Sequence, residues 1–206
     1  MTDVEIEVKF YITAPETLRQ QLHSLGASFT DRCAESNIRF EDADRSLIQK
    51  NALLRLRQTD TTCVLTYKGE PPEASEAPAG FKTYREWEVT VDDFDAMCRI
   101  LDAIGFAPAQ RYEKIRETYT IDDTTVCVDE MPYGHFLEIE GQPESIRGVA
   151  EKMGLNWQDR ILDNYLAIFD RLKTELNLDF TDVTFANFKT VEMDFTDYTG
   201  LFTAGI

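Results

Sequence analysis

The sequence predicts an α+β fold: a β-sheet closed into a barrel, charged inside and apolar outside, with helices packed on its outer surface. Three observations predict it. Several segments alternate apolar and charged residues strictly, the period of a strand with two unlike faces. The charged faces are sorted into Arg-x-Arg, Lys-x-Arg and repeated Glu-x-Glu, with few of the Ser, Thr, Asn and Gln residues that a solvated face would mix in. Helical periods at three points in the chain supply elements that can cover the apolar faces. An open sheet would leave the charged face in water. Closure turns it inward and leaves the apolar face to the helices, and the sorting of the charges favours closure.

Residues 4–10 set the pattern. Val4, Ile6, Val8 and Phe10 share one face of a strand, and Glu5, Glu7 and Lys9 share the other. Thr13 is placed to cap a helix that Pro15 opens and Glu16 supports. Leu18, Leu22 and Leu25 form its stripe, and Gly26 suits its end. Residues 27–40 read as a second strand, and 41–51 as a polar loop or short turn. Alternation returns at 53–57, where Leu54 and Leu56 oppose Arg55 and Arg57, and again at 63–68, where Val64, Thr66 and Lys68 are in phase. Between Gly69 and Gly80, prolines and glutamates without periodicity read as a mobile loop. In 82–91, Lys82, Tyr84, Glu86 and Glu88 oppose Arg85, Trp87, Val89 and Val91. Met97, Ile100, Leu101 and Ile104 then mark a helix over 92–104, ended by Gly105. Strand, helix and glycine thus recur, so the two halves share one plan.

The strand at 110–119 places Tyr112, Lys114, Arg116 and Thr118 in phase. Asp122-Asp123 turns the chain into 125–129, which carries Asp129 opposite Val126 and Val128. Pro132-Tyr133-Gly134 turns it into 136–140, with Phe136, Glu138 and Glu140 on one face. Helices follow at 144–153 and at 159–176. Residues 1–176 read as one domain. Residues 177–206 read as an aromatic and acidic extension, with Phe180, Phe185, Phe188, Phe195 and Phe202, that packs on the domain or on a partner.

With 206 residues and 43% hydrophobic content, the chain can bury a sizeable core. Its net charge of −17 argues against nucleic acid and against anionic membranes as partners. It does not argue against a phosphate substrate, because binding follows the local field. Cys33, Cys63, Cys98 and Cys127 form no Cys-x-x-Cys pair and read as free thiols of a reducing compartment. No secretory leader and no run of membrane-spanning length is visible, so the expected location is the cytoplasm. A homodimer is compatible with the sequence. His23 and His135 read as structural or surface residues.

The charged faces carry the chemistry. Lys9, Arg55, Arg57, Lys68, Lys82, Lys114 and Arg116 converge with Glu5, Glu7, Glu86, Glu88, Asp129, Glu138 and Glu140. Converging Arg and Lys suit a polyanion, above all phosphate, and converging carboxylates suit a hard divalent cation. Together they suit a metal–triphosphate complex. Glu5-x-Glu7-x-Lys9 resembles the E-x-E-x-K signature of the CYTH family, the triphosphate tunnel metalloenzymes. Leu54-Arg55-Leu56-Arg57, Leu65 to Gly69, Arg85-Glu86-Trp87-Glu88, Lys114-Ile115-Arg116 and Asp129 to Glu140 follow in the family's order, covering residues 1–170.

The resemblance implies a closed, antiparallel, eight-stranded tunnel. It implies that Glu5, Glu7, Asp129, Glu138 and Glu140 hold Mg2+ or Mn2+. It also implies that Lys9, Arg55, Arg57, Lys68, Lys82, Lys114 and Arg116 grip the phosphates, with Glu86 and Glu88 balancing the cations. Glu5, Glu7, Lys9, Glu138 and Glu140 are the catalytic candidates. The expected activity is metal-dependent hydrolysis of an inorganic or organic triphosphate, such as triphosphate, thiamine triphosphate or a nucleoside triphosphate. One alternative is a class IV adenylyl cyclase, in which a 3′-hydroxyl attacks the α-phosphorus and pyrophosphate leaves. The other is a non-catalytic polyphosphate- or nucleotide-binding module.

Overall fold

Two unlike faces of one sheet organise the computed structural model, which describes residues 4–71 and 78–202. The strands are β1 (Val4–Ile12), β2 (Ser28–Glu41), β3 (Leu53–Gln58), β4 (Cys63–Gly69), β5 (Lys82–Thr90), β6 (Ala107–Ile121), β7 (Thr124–Met131) and β8 (Gly134–Glu140). They close in the order β1-β5-β4-β3-β2-β6-β7-β8, and every neighbouring pair is antiparallel. Exchanging β1–β4 with β5–β8 leaves that ring order unchanged, so the shared plan of the two halves extends to their pairing. Closure leaves no edge strand among the eight described.

The outward face holds the core. Val8, Phe10 and Ile12 of β1, Val126 and Val128 of β7, and Leu137 and Ile139 of β8 are buried under two helices, α1 (Pro15–Ser24) and α4 (Pro143–Lys152). Leu18 and Leu22 supply the buried stripe of α1, and Ile146, Val149 and Ala150 that of α4. On the other flank, α3 (Phe94–Ala103) covers Ile38, Phe40, Leu56 and Cys63. Each large apolar side chain so buried is worth about 1.5–3 kcal/mol relative to exposure. The outer shell is therefore the main stabiliser of a barrel whose inner face is charged. A short helix, α2 (Ser46–Gln49), links β2 to β3, and Glu41 caps it by accepting from the backbone of Leu47 and Ile48 at 2.9 and 3.0 Å.

A third cluster stoppers one end of the barrel. Helix α5 (Tyr165–Leu176) and the segment beyond it pack onto Tyr112, Met131, Tyr133 and Phe136, with Phe188, Phe195 and Phe202 buried among them. Some rings meet edge to face, Phe136 at 5.3 Å from Tyr165 and Phe169 at 6.0 Å from Phe188, and others stack, as Phe195 does on Phe202 at 5.3 Å. Val183 joins β6 through a single bridge to Tyr112. Two further short elements lie here, α6 (Phe185–Phe188) and a 3-10 turn at Phe195–Leu201.

Several expectations are corrected. The last long helix begins at Tyr165, not 159. Asn164 caps it; Ile161 instead forms an isolated bridge to Lys9, its amide donating to the Lys9 carbonyl at 2.7 Å, and Asp163 lies in a bend before the cap. Thr13 does not cap α1; Ala14 holds that position with no side-chain bond, and Pro15 alone sets the first turn. Among the described residues, no helix covers the outward face of β5, where Trp87 is 50% and Val89 56% exposed. The strand expected at 110–119 is longer, as β6 runs beyond both ends to pair with the long β2. Of the loop expected between Gly69 and Gly80, residues 72–77 lie outside the described residues. The turn into β8 does need its glycine: Gly134 has φ +148°, and a Cβ there would sit 2.8 Å from the Tyr11 ring.

All four cysteines are free thiols. Among the described residues, no helix is long and apolar enough to cross a membrane.

Candidate active site

The inward faces enclose a cavity of about 490 Å³. Glu5, Glu7 and Lys9 reach it from β1, Arg55 and Arg57 from β3, Lys68 from β4, and Lys82, Glu86 and Glu88 from β5. Lys114 and Arg116 reach it from β6, and Glu138 and Glu140 from β8. Seven cations and six carboxylates stand along this wall, and the buried Glu35 and Asp129 pair with its cations, so the site is close to charge balance in a chain of net charge −17. His135 is not among the lining residues.

Register explains the order of the charges. Opposite charges stand directly across neighbouring strands: Lys9 by Glu138, Lys82 by Glu7, Lys68 by Glu86 and Arg116 by Asp129. Ring closure also puts Glu7 across from Glu140, two acids 133 positions apart in sequence that no local pattern connects.

The acids separate into two groups. One oxygen from each of Glu5, Glu7 and Glu140 lies within 4.8 Å of the others. An all-carboxylate cluster of this size fits the oxygen-only shell of a hard divalent cation. Lys82 donates to Glu7 at 2.6 Å, and Lys68 pairs with Glu5 and, at 3.1 Å, with Glu86. Burial pushes the Glu140 carboxyl up to about 8; the facing Arg116 opposes this, and Glu5, Glu138 and Glu7 reinforce it. Burial would also raise Glu7, but Lys82, Lys9 and Lys68 outweigh it and bring that carboxyl down to about 2. One acid of the trio is thus charged while another holds a proton. Repelling carboxylates in a buried site are relieved by a cation.

Asp129 and Glu138 sit apart from the trio, bound into cations. Asp129 is fully buried and accepts from Arg116 at 2.7 and 2.6 Å, from Lys114 at 3.1 Å and from the Tyr165 hydroxyl at 2.7 Å. Glu138 pairs with Lys9 and Arg116. Burial would raise its carboxyl, yet Lys9, Arg116 and Lys114 hold it well below the usual range.

Several residues here went unassigned by sequence reasoning. Glu35 of β2 lies 3.7 Å from both Arg57 and Lys114. It was findable, because Cys33, Glu35, Asn37 and Arg39 share one phase of the strand. The Tyr112 hydroxyl accepts from Arg55 at 3.3 Å, in the same phase as Lys114 and Arg116. Thr66 donates to Glu88 at 2.6 Å. Tyr165 comes from α5, and its ring lies 4.0 Å beneath the Lys9 ammonium. No local signal marks it, since its place depends on how α5 docks.

This site stands in a chain whose residues 3–155 match the CYTH domain model. The chain belongs to the CYTH family. A Methanocaldococcus jannaschii protein named as a candidate adenylate cyclase is 31% identical to this CYTH protein over 170 residues, 82% of this chain and 89% of the relative. The fold is shared with a Vibrio parahaemolyticus protein described as a candidate adenylate cyclase, with TM-score 0.72, 20% identity, and coverage of 82% of this chain and 99% of that one. It is shared also with a Hippeastrum protein described as a candidate adenylyl cyclase with dominant triphosphatase activity, with TM-score 0.58, 19% identity, and coverage of 81% and 95%. The family match ends at residue 155, so α5 and Tyr165 lie beyond it.

Proposed function

We propose that this CYTH protein is a divalent-metal-dependent phosphohydrolase acting on triphosphates. The observation that carries this reading is the Glu5, Glu7 and Glu140 trio set in one cavity with a ring of Arg and Lys. Glu5, Glu7 and Glu140 would hold Mg2+ or Mn2+. When bound, the ion would neutralise phosphate charge and polarise a phosphorus–oxygen bond.

The chain's own residues do the rest. Arg55, Arg57 and Arg116 offer forked donors to phosphate oxygens, and Lys9, Lys68, Lys82 and Lys114 offer point charges. Asp129 and Glu138 position Lys9, Lys114 and Arg116 through the ion pairs described above. Phosphoryl transfer needs this kind of positioning and charge neutralisation more than covalent chemistry, and hydrolysis needs in addition only water. Burial holds the Glu140 carboxyl up at about 8, so holding an ion there would cost it a proton.

An adenylyl cyclase is the second reading, favoured by the name of the Methanocaldococcus relative. The two share every charged group and differ in which phosphorus is attacked.

Product analysis with Mg2+ or Mn2+ and ATP, thiamine triphosphate or inorganic triphosphate decides between them. Orthophosphate supports the hydrolase, whereas cyclic AMP with pyrophosphate selects the cyclase. Binding without product makes the protein a module. Glu7→Gln and Glu140→Gln should each lower metal-dependent turnover about 100-fold or more. Mn2+ should raise the Tm of the wild type but not that of Glu140→Gln. Unchanged turnover in both variants would overturn the metal assignment.

A further inference from the structure

Two lysines of the charged ring rest on one tyrosine. Lys9 of β1 and Lys114 of β6 are both buried, and each has a carboxylate within reach: Glu138 for Lys9, and Asp129 for Lys114 at 3.1 Å. An ammonium on its flexible stem collapses readily onto such a partner and is then lost to a ligand. The Tyr165 ring opposes this. Its centre lies 4.0 Å from the Lys9 ammonium and 5.4 Å from that of Lys114. An aromatic face attracts a cation without taking its N–H groups into directed hydrogen bonds, so those donors stay available to phosphate oxygens.

The hydroxyl of the same residue acts on Asp129. It donates to Oδ2 at 2.7 Å, and Arg116 donates to that oxygen at 2.6 Å. Lys114 is the third donor there, at 3.1 Å. A carboxylate oxygen has about two lone pairs, so the three donors compete, and the ammonium is left with the longest bond. Tyr165 therefore loosens the grip of Asp129 on Lys114. Burial, with Asp129 and Glu138 nearby, holds the phenol well above its usual range, so the hydroxyl remains a donor.

The ring is fixed from several sides. The Tyr133 hydroxyl donates to the Tyr165 carbonyl at 2.9 Å, Phe136 meets the ring edge to face at 5.3 Å, and the Ile161 amide donates to the carbonyl of Lys9 itself. The strand that carries Lys9 and the segment that leads into Tyr165 are thus joined main chain to main chain. Both Ile161 and Tyr165 lie beyond residues 3–155, the part of the chain that matches the CYTH domain.

We infer that Tyr165 is a positioning residue of the site, seating the Lys9 and Lys114 ammonium groups where a phosphate chain can take them. The inference rests on the triphosphate reading above and adds to it an element outside the matched domain that completes the phosphate grip. The ring holds both lysines, and the hydroxyl restrains their carboxylate competitor.

Two variants separate these parts: Tyr165→Phe keeps the ring and loses the hydroxyl, and Tyr165→Leu loses both. With Mg2+, Tyr165→Leu should raise KM for the triphosphate that the wild type turns over about tenfold, with kcat falling much less, and Tyr165→Phe should recover most of that loss. In EDTA, where no turnover intervenes, calorimetry gives Kd for inorganic triphosphate in the wild type, Tyr165→Leu, Lys9→Met and the double variant. The Leu substitution should weaken binding about tenfold in the wild type and markedly less once Lys9 is gone, a coupling that a purely structural role would not produce. Melting curves identify the folded variants; should Tyr165→Leu not fold, the same cycle is run with Tyr165→Phe and Lys114→Met. Unchanged KM in the folded Tyr165→Leu variant, or a tyrosine effect of equal size with and without the lysine, overturns the positioning role and leaves the triphosphate reading standing. A wild type that binds no triphosphate with or without Mg2+ overturns that reading, and this inference with it.

Discussion

Glu35 shows how a side chain beneath the site bears on stability. It is 4% exposed and faces Arg57 and Lys114 at 3.7 Å each. Burial would raise its carboxyl, but Lys114, Arg116, Arg57 and Arg55 outweigh burial and bring it down to about 2. A carboxylate whose pKa falls on folding stabilises above its unfolded value near 4.5, and that stability is lost as pH drops through the folded value. Glu35→Gln should therefore cost about 2 kcal/mol at pH 7 in urea denaturation. The gap to wild type should close between pH about 4.5 and about 2. A gap that stays constant across that window would refute this role. At this scale the sequence is readable in part. Strand phase marks Glu35 as inward, yet nothing near it in sequence says that its partners come from β3 and β6.

Among the elements, α5 is where local reading and structure part most clearly. Its apolar stripe was legible, and Ile168, Phe169 and Leu172 are buried as that stripe requires. Its start was not. Ile161 and Leu162 fit the helical period, but an extended pairing with Lys9 takes Ile161 out of the helix, and Asn164 then begins it. The Asn164 side chain accepts from the Ala167 amide at 2.8 Å. Asn164→Ala should cost about 1 kcal/mol by loss of the cap. It should also raise KM for the preferred triphosphate, because Tyr165 follows directly and carries the Lys9 contact. Equal denaturation midpoints for variant and wild type would argue against the cap. The β-strands were read more accurately because alternation is a local property, and it is enough to say which residues share a face.

Across the whole molecule, two segregations matter. A strongly acidic chain keeps a cavity of nearly balanced charge inside, so its total charge does not describe its site. The aromatic segment after α5 stoppers the end of the barrel that α5 fills, with Phe188, Phe195 and Phe202 buried. Deleting residues 178–206 should expose Phe169 and Leu172, lower the Tm by roughly 5 °C or more, and increase binding of a hydrophobic dye. An unaltered melting curve would show that the segment contributes nothing to the fold.

By itself the sequence determined the alternating strands, the two unlike faces, the sorting of charge that favours closure, and the motifs of the CYTH family. Strand period and charge type are local, so they survive without coordinates. Only the tertiary structure decided that Glu5, Glu7 and Glu140 meet, and that Asp129 and Glu138 pair with Lys and Arg side chains. It alone placed Tyr165 under Lys9 and Lys114. Those relations depend on register between strands far apart in the chain and on where a helix docks. Both are settled by ring closure and by burial of the outer apolar face, which no single segment encodes.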